Sequence, residues 1–287
     1  MSEIKTIGVV GAGTMGNGIA QLAAQMGANV IMRDVKDDFV QRGIKAIDKF
    51  LQKGVERGKV TEEQKSSVLG RIIGTTDVGE LAKADFIIEA VIEDLDLKKQ
   101  VFSQLDEICR PEVILATNTS SMSVTLIAAA TKRQDKVVGM HFFNPVPLMK
   151  LVEIIHGFGT SDETVAITTA LAQKMGKETV EVKVDSPGFI VNRLMIPHMI
   201  EAVKLLEEGV ATKEDIDKAI KLGLNYPMGP FELMDFTGID ICKYVADYFY
   251  LELNKEQKWA VPTVMKNQVR SGFVGRKSGK GWYDYSK

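Results

Sequence analysis

A short β-branched run over residues 4–10 leads without interruption into Gly11-Ala12-Gly13-Thr14-Met15-Gly16, and behind the glycines Ile19, Leu22, Ala23 and Met26 recur at helical spacing. No other stretch constrains the fold as tightly, because strand, glycine turn and helix must follow one another within a few residues. Asn29–Arg33 reads as a second strand, and Val40, Ile44, Ile47 and Leu51 mark a helix over 40–50 with one apolar stripe. The βαβ unit therefore closes within about 33 residues. Further strands are expected at 71–74, 86–91, 113–116 and 137–140, alternating with helical stretches such as 97–108. The alternation implies a Rossmann-type α/β fold with a doubly wound, mostly parallel sheet. After Pro187 helical periodicity takes over, at 190–208, 212–222 and 240–253. The turn chemistry of Asp185-Ser186-Pro187-Gly188 sets the expected boundary, giving a domain at 1–186 and an all-helical C-terminal domain at 187–287.

The glycines fit the G-x-G-x-x-G dinucleotide fingerprint in its required context, after a strand and opening a helix. In that context Gly11 permits the turn, Gly13 admits a pyrophosphate to the backbone, and Gly16 lets the helix pack against the strand. Asp34 closes the second strand 23 residues after Gly11, where a carboxylate would bind ribose hydroxyls and repel a 2′-phosphate. NAD is the expected cofactor. The alternative for this set is a group of glycine turns with Asp34 as a helix cap, and Arg33 is either a softening cation or a solvated charge.

Mixed charges and a net charge of −2 offer no basic face for nucleic acid or an anionic membrane, so a small molecule is the expected partner. Cys109 and Cys242 stand 133 residues apart, which suggests neither a disulfide framework nor a zinc site and fits a reducing compartment. The N-terminal apolar run passes into glycines rather than a cleavage site and reads as a first strand. No apolar run approaches the roughly 20 residues of a membrane span. A soluble, cytoplasmic protein is expected, without repeats or low-complexity stretches.

Of three histidines, His141, His156 and His198, none forms a metal-ligand cluster. His141 follows an apolar strand at its carboxyl end, the edge where open α/β sheets bind ligands. It suits the proton transfer of alcohol oxidation, or it satisfies a loop. Glu153 is the one carboxylate in the apolar segment Leu151–Ile155 and needs a partner if buried. Should the intervening prolines turn the chain back, it would face His141; otherwise it is a solvent-facing residue of an edge strand.

The segments GAGTMGNGIAQ, ATNTSSMSV, GMHFFNPVPLMKLVEI, DSPGFIVNR, PMGPFELMD and GRKSGKGWYDY together resemble the short-chain L-3-hydroxyacyl-CoA dehydrogenase family, in particular its bacterial 3-hydroxybutyryl-CoA branch. The resemblance covers essentially the whole chain, and HFFNP with KLVEI and PGFIVNR are its most specific parts. It implies hydride transfer between NAD(H) and C3 of a short-chain (S)-3-hydroxyacyl-CoA, acetoacetyl-CoA and 3-hydroxybutyryl-CoA being the implied pair.

The resemblance further implies His141 as acid/base, Glu153 as its orienting partner, and Ser120 and Asn192 as polar contacts of the substrate carbonyl and hydroxyl. On residue type alone Ser120 would be a helix N-cap and Asn192 a cap or turn residue. Glu93, Lys98, Asn144 and Lys277 match further cofactor contacts of the family, although Glu93, Lys98 and Lys277 would otherwise read as solvated charges. Lys53 and Arg57 fall in a stretch that is lysine-rich in the family and meets CoA phosphates; here Glu56 interrupts it and Arg57 replaces a lysine. The family pattern also implies a homodimer, and the acyl-CoA is expected to enter a cleft between the two domains. Two other readings remain open: a sugar-acid dehydrogenase of the same fold, and a non-enzymatic NAD-binding structural or sensor protein.

Overall fold

The computed structural model describes residues 4–286, and contacts divide the chain into two units, 1–186 and 187–287. In the first unit the strands are β1 (Thr6–Val10), β2 (Asn29–Arg33), β3 (Ile72–Thr75), β4 (Phe86–Glu89), β5 (Ile114–Thr117), β6 (Val137–Phe142), β7 (Leu151–Ile155) and β8 (Glu178–Val182). Its helices are α1 (Thr14–Gln25), α2 (Asp37–Glu56), α3 (Glu62–Gly70), α4 (Leu95–Ile108), α5 (Val124–Ala128) and α6 (Asp162–Lys174).

All eight strands form one sheet in the order β3-β2-β1-β4-β5-β6-β7-β8. Pairing is parallel throughout except between β6 and β7, so the fold is the doubly wound, mostly parallel α/β sheet expected. Helices on both faces explain the continuous apolar strands: neighbours that point to opposite faces, such as Val9 and Val10 or Ile87 and Ile88, are alike buried. Strand order reverses between β1 and β4, and ligands of such sheets bind outside the carboxyl ends at that switch point.

Two strands depart most from the reading of the sequence. The stretch 86–91 leaves the sheet after Glu89, because the Glu89 carboxylate accepts the Val91 N–H at 2.7 Å and turns the backbone. The strand β8 was not expected: ETVEV offers only two valines among polar residues, and of its five residues only Val182 is buried. Its presence removes Glu153 from an edge, since β7 is paired on both sides.

The second unit holds α7 (Val191–Glu207), α8 (Lys213–Gly223), α9 (Pro230–Thr237), α10 (Ile239–Glu252) and α11 (Thr263–Arg270) around a core that includes Ile200, Phe231, Phe249, Trp259 and Trp282. Buried Asp217 on α8 caps α9 from outside, accepting the N–H groups of Phe231 and Glu232 and the Tyr283 hydroxyl. Burial is the main force raising the Asp217 carboxyl above its usual range, against those hydrogen bonds. Among the described residues no helix is long and apolar enough to cross a membrane, no group of three or more His, Cys, Asp or Glu could hold a metal ion, and both cysteines are free and buried.

Candidate active site

Gly11 leaves β1 with φ 104°, where L side chains are strained, and a Cβ there would lie 2.5 Å from the Ala90 carbonyl oxygen. A Cβ on Gly16 would fall 1.8 Å from the Gly11 oxygen, so α1 can approach its own turn only with glycine at that position. A Cβ on Gly13 would meet nothing, so the protein itself imposes no glycine there. In the dinucleotide fingerprint a glycine at that position leaves room for a pyrophosphate to approach the α1 amides. Asp34 does not cap a helix: the N-cap of α2 is Lys36. Instead its Oδ2 accepts Ala12 N–H and its Oδ1 accepts Val35 N–H, both at 2.7 Å, which fixes the carboxylate at the turn. Neighbouring Arg33 is turned to the Thr76 carbonyl.

Gly11, Gly13, Arg33 and Asp34 line a cleft of about 740 Å³ that also takes in Phe39, Ala90, Val91, Ile92, Leu97 and Val101. An apolar slot beside a fixed carboxylate and a glycine-floored helix terminus fits an adenosine, its ribose hydroxyls and a pyrophosphate. The donor set therefore suits NAD.

His141 lies near the end of β6 and stands opposite Glu153 in the antiparallel register with β7. Directly opposed residues bring their side chains together on one face. His141 Nδ1 meets Glu153 Oε2 at 2.7 Å, with the histidine 4% exposed and the glutamate fully buried. The turn between β6 and β7, with its prolines, brings together residues 12 positions apart. Asn144 sits on that turn, exposed, and its bond to Pro145 is cis.

Ser120 follows β5. It is not a helix cap, since Ser123 caps α5; Ser120 donates from both N–H and hydroxyl to Glu93 Oε1, at 2.7 and 3.1 Å. The Thr119 hydroxyl donates to the same oxygen at 2.6 Å. Behind Glu93 stands Lys98, which is no solvated charge: it is 1% exposed, its Nζ 3.3 Å from Glu93 and 2.8 Å from Glu89. Glu89, fully buried, also accepts the Thr117 hydroxyl at 2.7 Å. Burial would raise the Glu93 carboxyl, but the Lys98 ammonium and the hydrogen bonds from Thr119 and Ser120 outweigh it and hold the group below its usual value. Burial likewise opposes the Lys98 charge, and Glu89 and Glu93 together raise its pKa regardless.

Glu89 was missed in the sequence, although a lone carboxylate in an apolar strand is the signal that singles out Glu153. Lys53 lies in the last turn of α2 and Arg57 is its C-cap; both are exposed, and neither forms an ion pair with a described residue. In the second unit Asn192 occupies the first turn of α7, half-buried, and Lys277 pairs with Asp240 at 2.7 Å.

A nucleotide cleft at the switch point, with a buried histidine–carboxylate pair on the same sheet, defines a dinucleotide-dependent dehydrogenase. Residues 6–185 match the family model described as 3-hydroxyacyl-CoA dehydrogenase, NAD binding domain, and residues 188–285 match 3-hydroxyacyl-CoA dehydrogenase, C-terminal domain. The chain belongs to the 3-hydroxyacyl-CoA dehydrogenase family, and NAD is its cofactor. It is 47% identical over 285 residues to a probable 3-hydroxybutyryl-CoA dehydrogenase of Bacillus subtilis, covering 99% of each chain. Against 3-hydroxybutyryl-CoA dehydrogenase of Clostridioides difficile the identity is 45%, over 98% of this chain and 99% of that one. The crystal structure of (S)-3-hydroxybutyryl-CoA dehydrogenase from Ralstonia eutropha superposes with a TM-score of 0.96 at 46% identity, covering 99% of this chain and all of the other.

Proposed function

We propose that this enzyme reversibly interconverts acetoacetyl-CoA and (S)-3-hydroxybutyryl-CoA, with NAD(H) as the redox partner. The carrying observation is the buried His141–Glu153 pair at 2.7 Å on the sheet that also carries the nucleotide turn. The names of relatives aligned over nearly the whole chain support the same substrate pair.

NAD, when bound, supplies hydride acceptance in one direction and hydride donation in the other. The protein supplies position and proton. With Nδ1–H donated to Glu153, the His141 tautomer leaves Nε2 to take the C3 hydroxyl proton during oxidation and to return it to the forming alkoxide during reduction. Glu153 stabilises the imidazolium formed on proton uptake. Ser120 and Asn192 hydrogen-bond the substrate oxygen as its charge changes. Glu93 positions Ser120 through the two bonds it accepts from it, and Lys98 acts through Glu93. Gly11 and Gly13 form the pyrophosphate floor, Gly16 lets α1 pack against the turn, and Asp34 binds the adenosine ribose. Asn144, Lys277 and Glu93 are assigned to the cofactor, and Lys53 and Arg57 to the CoA phosphates.

The unit at 187–287 is assigned to substrate binding and homodimer contact, a reading favoured by exposed Leu194 on α7 and Ile241, Tyr244 and Leu251 on α10. The two free cysteines fit a cytoplasmic setting.

Steady-state reduction of C4 to C10 3-ketoacyl-CoAs with NADH and NADPH tests this reading. Acetoacetyl-CoA with NADH should give the highest kcat/KM, and Asp34→Ser should narrow the preference for NADH. Absence of turnover with every acyl-CoA, or a wild-type preference for NADPH, would contradict it.

A further inference from the structure

Asn118 comes directly after β5, where the backbone pairing of β5 with β6 has ended at Thr117 opposite Gly139. Its own N–H donates to the Glu89 carbonyl at 2.8 Å. Its side-chain Oδ1 accepts the Phe142 backbone N–H at 2.9 Å, so the side chain carries the β5–β6 pairing one step further, beside His141. That bond also settles which way the amide is turned: a backbone N–H can only donate, so the oxygen faces Phe142 and the NH2 group faces away. The NH2 group finds no hydrogen-bond partner among the described residues, although Asn118 is only 8% exposed. Donors left unpaired at so buried a position are costly, and native proteins rarely keep them without a reason. Nδ2 is nevertheless not fully sealed from the surface. Ser120 follows two residues on, and His141 directly precedes the residue that Asn118 holds.

We propose that Asn118 Nδ2 is a further binding donor of the active site, completed by a carbonyl oxygen of a bound ligand. The oxygen belongs either to the carboxamide of NAD or to the acyl-CoA. The proposal rests on the dehydrogenase reading above, and it separates two tasks within one side chain. The oxygen holds the His141 strand; the NH2 group binds.

Two variants divide these tasks. Asn118→Asp keeps an acceptor for Phe142 N–H and loses the NH2 donor, whereas Asn118→Ala loses both without adding charge. NADH affinity is titrated by fluorescence without acyl substrate, kcat and KM are measured for acetoacetyl-CoA, and thermal unfolding is followed for each protein. Both variants should lose roughly tenfold or more in ligand binding or in kcat/KM, with Asn118→Asp unfolding near the wild-type temperature. A weakened NADH affinity assigns the oxygen to the carboxamide; an unchanged affinity with impaired acetoacetyl-CoA kinetics assigns it to the substrate. Loss in Asn118→Ala alone would reduce the residue to holding Phe142, and loss in Asn118→Asp alone would be charge repulsion; either result overturns the proposal. If the wild type binds NADH but does not reduce acetoacetyl-CoA, the dehydrogenase reading itself fails, and the NADH titration alone then decides the role of Asn118.

Discussion

At the end of β4, Glu89 receives the Lys98 ammonium at 2.8 Å, the Thr117 hydroxyl at 2.7 Å and the Val91 N–H at 2.7 Å; on β7, Glu153 meets His141 Nδ1 at 2.7 Å. Both carboxylates are fully buried in the same sheet, and both need a partner to be there. The partners differ in one property. Lysine holds its charge across the physiological range, and Lys98 is shared between Glu89 and Glu93, so this region is a fixed strut beneath the Ser120 turn. Histidine gains and loses a proton near neutrality, so an equally buried carboxylate beside it becomes part of a proton-transfer device. Burial and distance alone would not tell these regions apart. Disturbing one should cost chemistry, and disturbing the other should cost folding.

The largest separation is expected from His141→Gln, which keeps hydrogen bonding but not acid/base function. Turnover should fall by about 10² to 10⁴ while NADH affinity and unfolding midpoint stay near wild type. A comparable loss of stability would mean that the His141 region is also a strut. Lys98→Met makes the opposite test. It leaves Glu89 and Glu93 without their shared cation, and breaking a buried pair this way costs about 3–5 kcal/mol. Denaturant unfolding should register that loss, and Glu89→Gln added to Lys98→Met should recover part of it. Full stability in Lys98→Met would remove the distinction between the regions.

A smaller effect concerns pH. Glu93 has a folded-state pKa below its unfolded value, so its contribution to stability is complete above the unfolded pKa and lost as pH falls through the folded one. Lys98, raised on folding, contributes below its unfolded value and loses that contribution as pH rises through the folded one. The strut therefore gives way towards acid through Glu93 and towards alkali through Lys98. Glu93→Gln should flatten the acid decline of the unfolding midpoint relative to wild type. An unchanged acid limb would place that decline elsewhere.

The two regions were also unequally legible in the sequence. The glycine turn could be read because the needs of Gly11 and Gly16 arise within a few residues of them, at the junction of β1 and α1. The His141–Glu153 pairing depends on an antiparallel return within 12 residues, close enough for the prolines and the lone carboxylate to suggest it. The strut spans three elements, and its lysine looks like an ordinary surface charge in IEDLDLKK. The available signal was the spacing of Lys98, Phe102 and Leu105, which share the buried face of α4. Helices α9 and α11 were not read because eight residues carry too little periodicity, and the cap that secures α9 comes from Asp217, 14 residues before Phe231. Ser120 lay three residues from the true cap Ser123, and composition could not choose among Ser120, Ser121 and Ser123.

The central claim is that His141 and Glu153 operate as one unit, and a double-mutant cycle on kcat tests it most directly. Measured together, His141→Gln, Glu153→Gln and the double variant should show that, once the histidine is gone, removing the carboxylate costs little more, within roughly threefold. A double variant that suffers the full product of the two single losses would mean that the residues contribute independently, and the dyad would be refuted.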